Sequence, residues 1–270
     1  MQYLAARDEG GVLEALADGE TSVLAGGQSL IIDLRKKEKC PPRVVDINRV
    51  AAFDTLTESD GFLHVGPLIR HRVFESATVA GALGELLRVV VRHIGHPPIR
   101  ARGTMLGSLA YAHPAAEWPV VAVTLGAELV LAGLRGRRTV PAANFFTGPY
   151  STVRRPDELL VEVRLPVLPP GTGSGYAEDR RTTIYPQAAA MAAVTVTDGV
   201  ITAAAVGLVN AGPCPVRSRA AESVLVGGPF SDAAISMAAE AAAEVDVTTG
   251  NRRAIKVQAR RALSQARERL

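Results

Sequence analysis

The chain has 270 residues, 47% hydrophobic but only 4% aromatic, a formal net charge of +3, and two cysteines, Cys40 and Cys214. Two thiols are too few for an iron–sulfur cluster or a cysteine zinc site, and no apolar run reaches the ~20 residues of a membrane span. The first residues lack a secretory signal, and the basic clusters at Arg35-Lys36-Lys37 and Arg135 to Arg138 lack the interleaved aromatics of single-strand binders. A cytoplasmic protein is therefore expected, with no membrane span, no nucleic-acid partner, no metal ligand set and no disulfide.

Asp8 to Ala17 carries Val12, Leu13 and Leu16 at helical spacing and Gly19 ends it. Thr21 to Leu24 reads as a strand running into Leu24-Ala25-Gly26-Gly27-Gln28-Ser29-Leu30, where Ser29 is placed to cap a helix through Leu34. Val44 to Ile47 and Phe62 to Val65 are further strands. Ala82 to Ile94 is a helix with a Leu83, Leu86, Leu87, Val90, Val91 stripe, stopped by His96-Pro97-Pro98. Arg102-Gly103-Thr104-Met105-Leu106-Gly107-Ser108 then forms a second glycine turn. Leu129 to Leu131 and Leu159 to Leu165 are strand-like. Pro166 to Gly175, with three prolines and three glycines, is the expected domain boundary. Beyond it, Ala188 to Thr197 and Val200 to Leu208 flank the hairpin signal Asp198-Gly199. Ser231 is placed to cap an Ala-rich helix to Glu244, and Arg252 to Arg269 forms the last helix. No internal repeat is evident, and the class is α+β.

The two glycine turns carry the chemistry. Glycine lets backbone N–H groups approach one anion closely, and two such turns suit a ligand with two phosphates. That points to a dinucleotide such as FAD, held outside a Rossmann frame.

In this order, the runs Ala25-Gly26-Gly27-Gln28-Ser29-Leu30, Ile94-Gly95-His96-Pro97, Arg102-Gly103-Thr104, Pro114-Ala115-Ala116-Glu117, Phe145-Phe146-Thr147-Gly148-Pro149 and Pro156-Asp157-Glu158-Leu159-Leu160 resemble one family. It is the FAD-binding (medium) subunit of the molybdenum hydroxylases, such as carbon monoxide dehydrogenase and xanthine dehydrogenase. The resemblance implies a two-subdomain FAD-binding fold of the PCMH/vanillyl-alcohol-oxidase type over residues 1–167. A small sheet-plus-helices domain follows over residues 174–270. It implies cofactor contacts from Leu24, Ala25, Gly26, Gly27, Gln28, Ser29 and Leu30 of the first turn, and from Thr104, Gly107 and Ser108 of the second. It places Tyr185 beside the flavin ring; His113, where the family has an aspartate that helps hold FAD, is counted with Tyr185 among the cofactor contacts, and these two are the candidates for a catalytic residue that stays unassigned. The implied partners are iron–sulfur and molybdenum subunits, with electrons passing through FAD to an acceptor.

The chain departs from the family pattern at Leu106 for a glycine, at His113 for an aspartate, at Ile184 ahead of Tyr185, and around Gly250-Asn251-Arg252-Arg253. Leu106 is expected to crowd a phosphate. These changes keep two other readings open: a stand-alone FAD enzyme, homo-oligomeric and acting on its own small-molecule substrate in a biosynthetic pathway, and a flavin-free small-molecule binder or scaffold. Elsewhere the plain reading is preferred. Trp118 is helix packing and His96 is a structural cap. His64, His71 and His93 are too dispersed for a metal site, and Glu58, Asp60, Asp157 and Glu158 are surface or turn residues.

Overall fold

The computed structural model describes residues 1–38, 40–180, 185–245 and 252–270. The chain opens with β1 (Gln2–Ala5), α1 (Glu9–Leu16), β2 (Thr21–Leu24), α2 (Leu30–Lys36) and β3 (Arg43–Asp46), the strands forming a parallel sheet in the order β1-β3-β2. Helix α1 starts where expected because the Asp8 carboxylate accepts the N–H of Gly11 at 2.8 Å. Ser29 stands ahead of α2, but its own backbone is already helical and its hydroxyl makes no cap bond, which corrects the expected cap.

A five-stranded antiparallel sheet follows, built from β4 (Leu56–Ser59), β5 (Phe62–Val65), β6 (Glu128–Gly133), β7 (Gly136–Pro141) and β10 (Leu159–Pro166) in the order β4-β5-β10-β6-β7. Helices α3 (Gly81–Val91), α4 (Pro97–Arg102), α5 (Met105–Tyr111) and α6 (Glu117–Leu125) lie between β5 and β6, and β8 (Phe146–Gly148) with β9 (Ser151–Thr152) forms a small ribbon. Helix α3 buries the expected leucine–valine stripe but ends at Val91. The prolines do not stop it: they open α4, because proline's missing N–H is an orphan at the first helical position anyway. His96 occupies the cap position of that short helix. The second glycine turn is likewise a helix start, with Thr104 Oγ1 accepting the N–H of Gly107 at 3.0 Å.

Strand β10 is buried on both faces. Leu160, Val163 and Leu165 join the core beneath α3–α6, while Leu159 and Val161 pack with α1. A bulge between Leu160 and Glu162 resets the alternation.

The last portion holds β11 (Thr172–Asp179), β12 (Ala188–Thr197), β13 (Val200–Val209) and β14 (Val216–Arg217) in sequential antiparallel order, then α7 (Arg219–Leu225), α8 (Asp232–Ala243) and α9 (Arg252–Glu268). Strand β11 begins inside the stretch read as a boundary. The hairpin turns where expected, with Asp198 and Gly199 both at positive φ, and Ser231 caps α8 as expected. Ala190, Ala192, Val206 and Leu208 face α7–α9, whereas Ala189, Met191 and Val209 enter the core shared with α3 and α6.

Candidate functional site

The two glycine turns meet. A Cβ on Gly26 would lie 2.3 Å from the carbonyl oxygen of Arg102 and 2.7 Å from Gly103 Cα, so only glycine fits there. Gly27 follows at φ +74°, where a side chain would be strained. Two side chains fasten the turns: Asn48 Nδ2 donates to Ala25 O at 2.9 Å, and Arg70 donates to Arg102 O at 2.6 Å and to Asn48 Oδ1. The backbone of residues 69–71 braces the second turn, with His71 N–H donating to Gly103 O and Met105 N–H to Ile69 O.

Between the turns runs a cavity of about 330 Å³. Ala25, Gly26, Gly27, Gln28, Ser29 and Leu30 line it from one side and Thr104, Gly107 and Ser108 from the other, with His113 and Tyr185 also on its wall. Leu24, which ends β2, lines a neighbouring hollow with Arg35, Asp46, Asn48 and Arg102. Among the described residues, the N–H groups of Gly26, Gly27, Gln28 and Ser29 donate to no protein acceptor. The second turn is largely self-satisfied: Met105 N–H goes to Ile69 O, Gly107 N–H to Thr104 Oγ1, and Ser108 N–H to Thr104 O. The first turn is therefore the stronger anion nest. The Leu106 side chain is 2% exposed and packs into the core while bordering the cavity.

An aromatic row forms another wall. Tyr185 stacks on His113 with ring centroids 3.7 Å apart and planes 13° off parallel; His113 meets Tyr150 edge-on, and Tyr150 meets Tyr111 likewise. Tyr111 donates to Asp33 of α2 at 3.0 Å. His113 Nδ1 accepts the N–H of Ala115, and burial lowers its pKa to about 4, so the ring is neutral with its proton on Nε2. Burial and the neighbouring Glu117 push the Tyr185 phenol up. Ile184 and Gly250-Asn251 lie outside the described residues; Arg252 and Arg253 open α9.

Several residues of the site were not singled out in the sequence. Arg154, mostly buried, is the one Lys or Arg among the described lining residues, and donates to the carbonyls of Arg155 and Glu158. Glu158, read as a surface residue, is 5% exposed and held as a carboxylate by two bonds from Arg138. His71, read as one of several dispersed histidines, is buried beside Gly103, and its Nδ1 accepts the indole N–H of Trp118 at 2.9 Å. Burial takes its pKa down to about 3, so it is neutral with its proton on Nε2. Glu117 also reaches the cavity from the start of α6. His71 and Arg154 carry no local pattern, and Glu117 and Glu158 stood in family-like runs with no role of their own, so the sequence marked none of them for the cavity.

The geometry suits a long ligand with an anionic middle and a flat ring. The family described as the FAD binding domain in molybdopterin dehydrogenase matches residues 1–168, and the CO dehydrogenase flavoprotein C-terminal domain matches residues 178–263. The chain belongs to the FAD-binding medium subunits of the molybdenum hydroxylases. It is an FAD-dependent oxidoreductase component, and the donor nest, Arg154 and the ring platform fit that cofactor, which sets aside the flavin-free reading.

Among relatives of this medium subunit, the 6-hydroxypseudooxynicotine dehydrogenase complex subunit alpha of Paenarthrobacter nicotinovorans is 35% identical over 247 residues, 90% of this chain and 83% of the relative. The carbon monoxide dehydrogenase medium chain of Hydrogenophaga pseudoflava is 32% identical over 224 residues, 83% of this chain and 78% of the relative. Among solved structures, reconstituted CO dehydrogenase from Oligotropha carboxidovorans superposes with a TM-score of 0.93 at 28% identity, covering 100% of this chain and 98% of the other. Quinoline 2-oxidoreductase from Pseudomonas putida 86 gives 0.92 at 29%, covering 99% and 97%. No helix among the described residues is long and apolar enough to cross a membrane.

Proposed function

We propose that this medium subunit lays FAD along the cavity and relays electrons from an iron–sulfur partner subunit to an acceptor, in an assembly whose molybdenum subunit oxidises the substrate. The observation that carries the reading is the run of N–H groups at Gly26, Gly27, Gln28 and Ser29 that find no acceptor among the described residues, opposite Thr104 and Ser108 in one cavity. These groups would hold the pyrophosphate, with Arg154 adding the cationic charge, and the Tyr185–His113 pair would flank the ring. The flavin supplies the electron-transfer chemistry, so the chain's task is to bind, orient and exclude water. No residue of the cavity need act as a nucleophile. Two free cysteines, Cys40 and Cys214, accord with a reducing cytoplasm. On this reading residues 1–167 form the cofactor unit and residues 174–270 the unit that completes it.

The test is the visible spectrum of the purified chain with added FAD, for the parent and for Gly27→Val. The parent is expected to be yellow, and the variant to lose flavin by tenfold or more in affinity, since valine at that φ distorts the nest. Unchanged occupancy in Gly27→Val overturns the assignment of the first turn. Co-expression with candidate iron–sulfur and molybdenum subunits tests the assembly. Direct oxidation of a small molecule by the isolated chain would instead support the stand-alone reading.

A further inference from the structure

Three elements gather ionisable groups around one residue of the cavity wall, Glu117. Glu117 opens α6, is 5% exposed, and borders the cavity. Arg180, just beyond β11, reaches its Oε1 with Nη2 at 3.4 Å. The same guanidinium is already committed to Glu178 of β11, with Nε at 2.9 Å and Nη2 at 3.0 Å, and to the carbonyl of His93. His93 Nδ1 lies 3.1 Å from Glu178. Tyr176 of β11 is wholly buried, with its ring 4.8 Å from that of His93 and its hydroxyl without a hydrogen-bond partner among the described residues.

Two carboxylates thus share one cation. Glu178 takes the closer contact with the guanidinium and adds His93, whereas Glu117 keeps one long contact with it and a bond from its own backbone N–H in a buried setting. A buried carboxylate paired so thinly favours its neutral form. Burial raises the Glu117 pKa to about 8, Arg180 opposing and Glu178 adding to the rise. Its neighbours on the wall are poorly suited to exchanging a proton near neutrality. His71 and His113 stay neutral down to acid pH, the Tyr111 and Tyr185 phenols are pushed up, and Glu158 is held as an anion.

We propose that Glu117 is the proton-exchanging group of the cavity: its carboxyl gives a proton to the flavin ring as the cofactor is reduced, and Arg180 holds the carboxylate that remains. The proposal rests on the reading that FAD lies in this cavity. Two electrons arrive from one-electron donors, the partner's reduced iron–sulfur centres or a reduced viologen in vitro. The O–H bond of Glu117 breaks, an N–H bond forms on the ring, and the reduced flavin keeps one negative charge. A solvent proton then restores the carboxyl past the partly exposed His93–Glu178 pair.

The test is reduced-minus-oxidised infrared difference spectroscopy on the full chain loaded with FAD, using reduced viologen, with flavin content read by absorbance. Near neutral pH the parent is expected to lose a protonated-carboxyl C=O band on reduction, with the shift in D₂O that marks a carboxylic acid. Glu117→Gln, which keeps size and neutrality, is expected to lack that band while still binding flavin. Its flavin should be reduced about a hundredfold more slowly, at a rate that no longer falls as pH rises past 8. A yellow parent chain with no carboxyl band, or a band that persists in Glu117→Gln, overturns the proposal alone. A parent chain that takes up no flavin overturns the FAD reading and this proposal with it.

Discussion

Gly26 shows how one missing atom positions a site. Its Cα faces the Arg102 carbonyl so closely that a methyl group would sit 2.3 Å from it. Backbone cannot yield there, since Arg70 and Asn48 hold both turns from the side. Gly26→Ala is expected to push the turns apart, cost about 2 kcal/mol of stability and weaken flavin binding at least tenfold. Gly228→Ala is the control, because nothing lies within 4 Å of its Cβ position and its φ is ordinary. Thermal melts and flavin titration on the two variants check this; equal behaviour would separate the turn contact from cofactor binding. The glycine pair was legible in the sequence because few residues tolerate such geometry. Glu117 and His71 were not, since their roles arise from burial and from partners far away in the chain, Arg180 and Trp118; Arg154, bonded to nearby Arg155 and Glu158, takes its place from burial.

At the scale of elements, local signals read well where they act alone. The Asp198-Gly199 hairpin, the Ser231 cap and the α3 stripe needed only neighbouring residues. The α4–α5 pair was missed because proline and glycine, read as breakers, sit at helix starts where their drawbacks vanish. Strand β11 was missed for a tertiary reason. Its glycines, weak strand formers, are needed because α9 runs directly over them: Cβ atoms on Gly173 and Gly175 would lie 1.9 Å and 2.1 Å from the carbonyls of Ala266 and Ala262. Gly175→Val is therefore expected to lift α9 and lower stability by about 3 kcal/mol, with denaturant unfolding as the measurement. A change under about 0.5 kcal/mol would mean that α9 is not seated on this strand.

For the whole molecule, two buried groups pull stability in opposite directions with pH. His71 falls from 6.5 unfolded to about 3 folded. Between those values the unfolded chain binds more protons, so stability is full above 6.5 and is lost as pH falls toward 3. Glu117 rises from 4.5 to about 8. Here the folded chain binds more protons, so stability is highest below 4.5 and is lost as pH rises to 8. Each slope is about 1.4 kcal/mol per pH unit. They cancel between 4.5 and 6.5, but His113, lowered to about 4, adds a loss with acid over that same window, so stability peaks near 6.5 and falls away on both sides. Denaturant unfolding across pH 4 to 9 should trace this shape for the parent chain. Glu117→Gln should remove the decline above 6.5 and steepen the fall between 6.5 and 4.5, which Glu117 no longer offsets; a decline above 6.5 that survives the substitution would assign it elsewhere. The α+β class and the cofactor family were legible from motif order, but this charge balance was not, since it depends on which groups folding takes out of water.

Gly207 of β13 lies against α6 with no room for a side chain: a Cβ would sit 2.0 Å from Thr124 Oγ1 and 2.9 Å from Val120 Cγ2. The seam between the two family signatures is thus a fitted joint whose halves are written in distant parts of the chain. A descendant that exchanged its C-terminal half for another protein's would inherit the flavin cradle, yet would seat α6 only if the newcomer carried the same bare notch. The absent methyl group at Gly207 fits the two halves together alongside the core that Tyr176, Ala189, Met191 and Val209 share with α3 and α6.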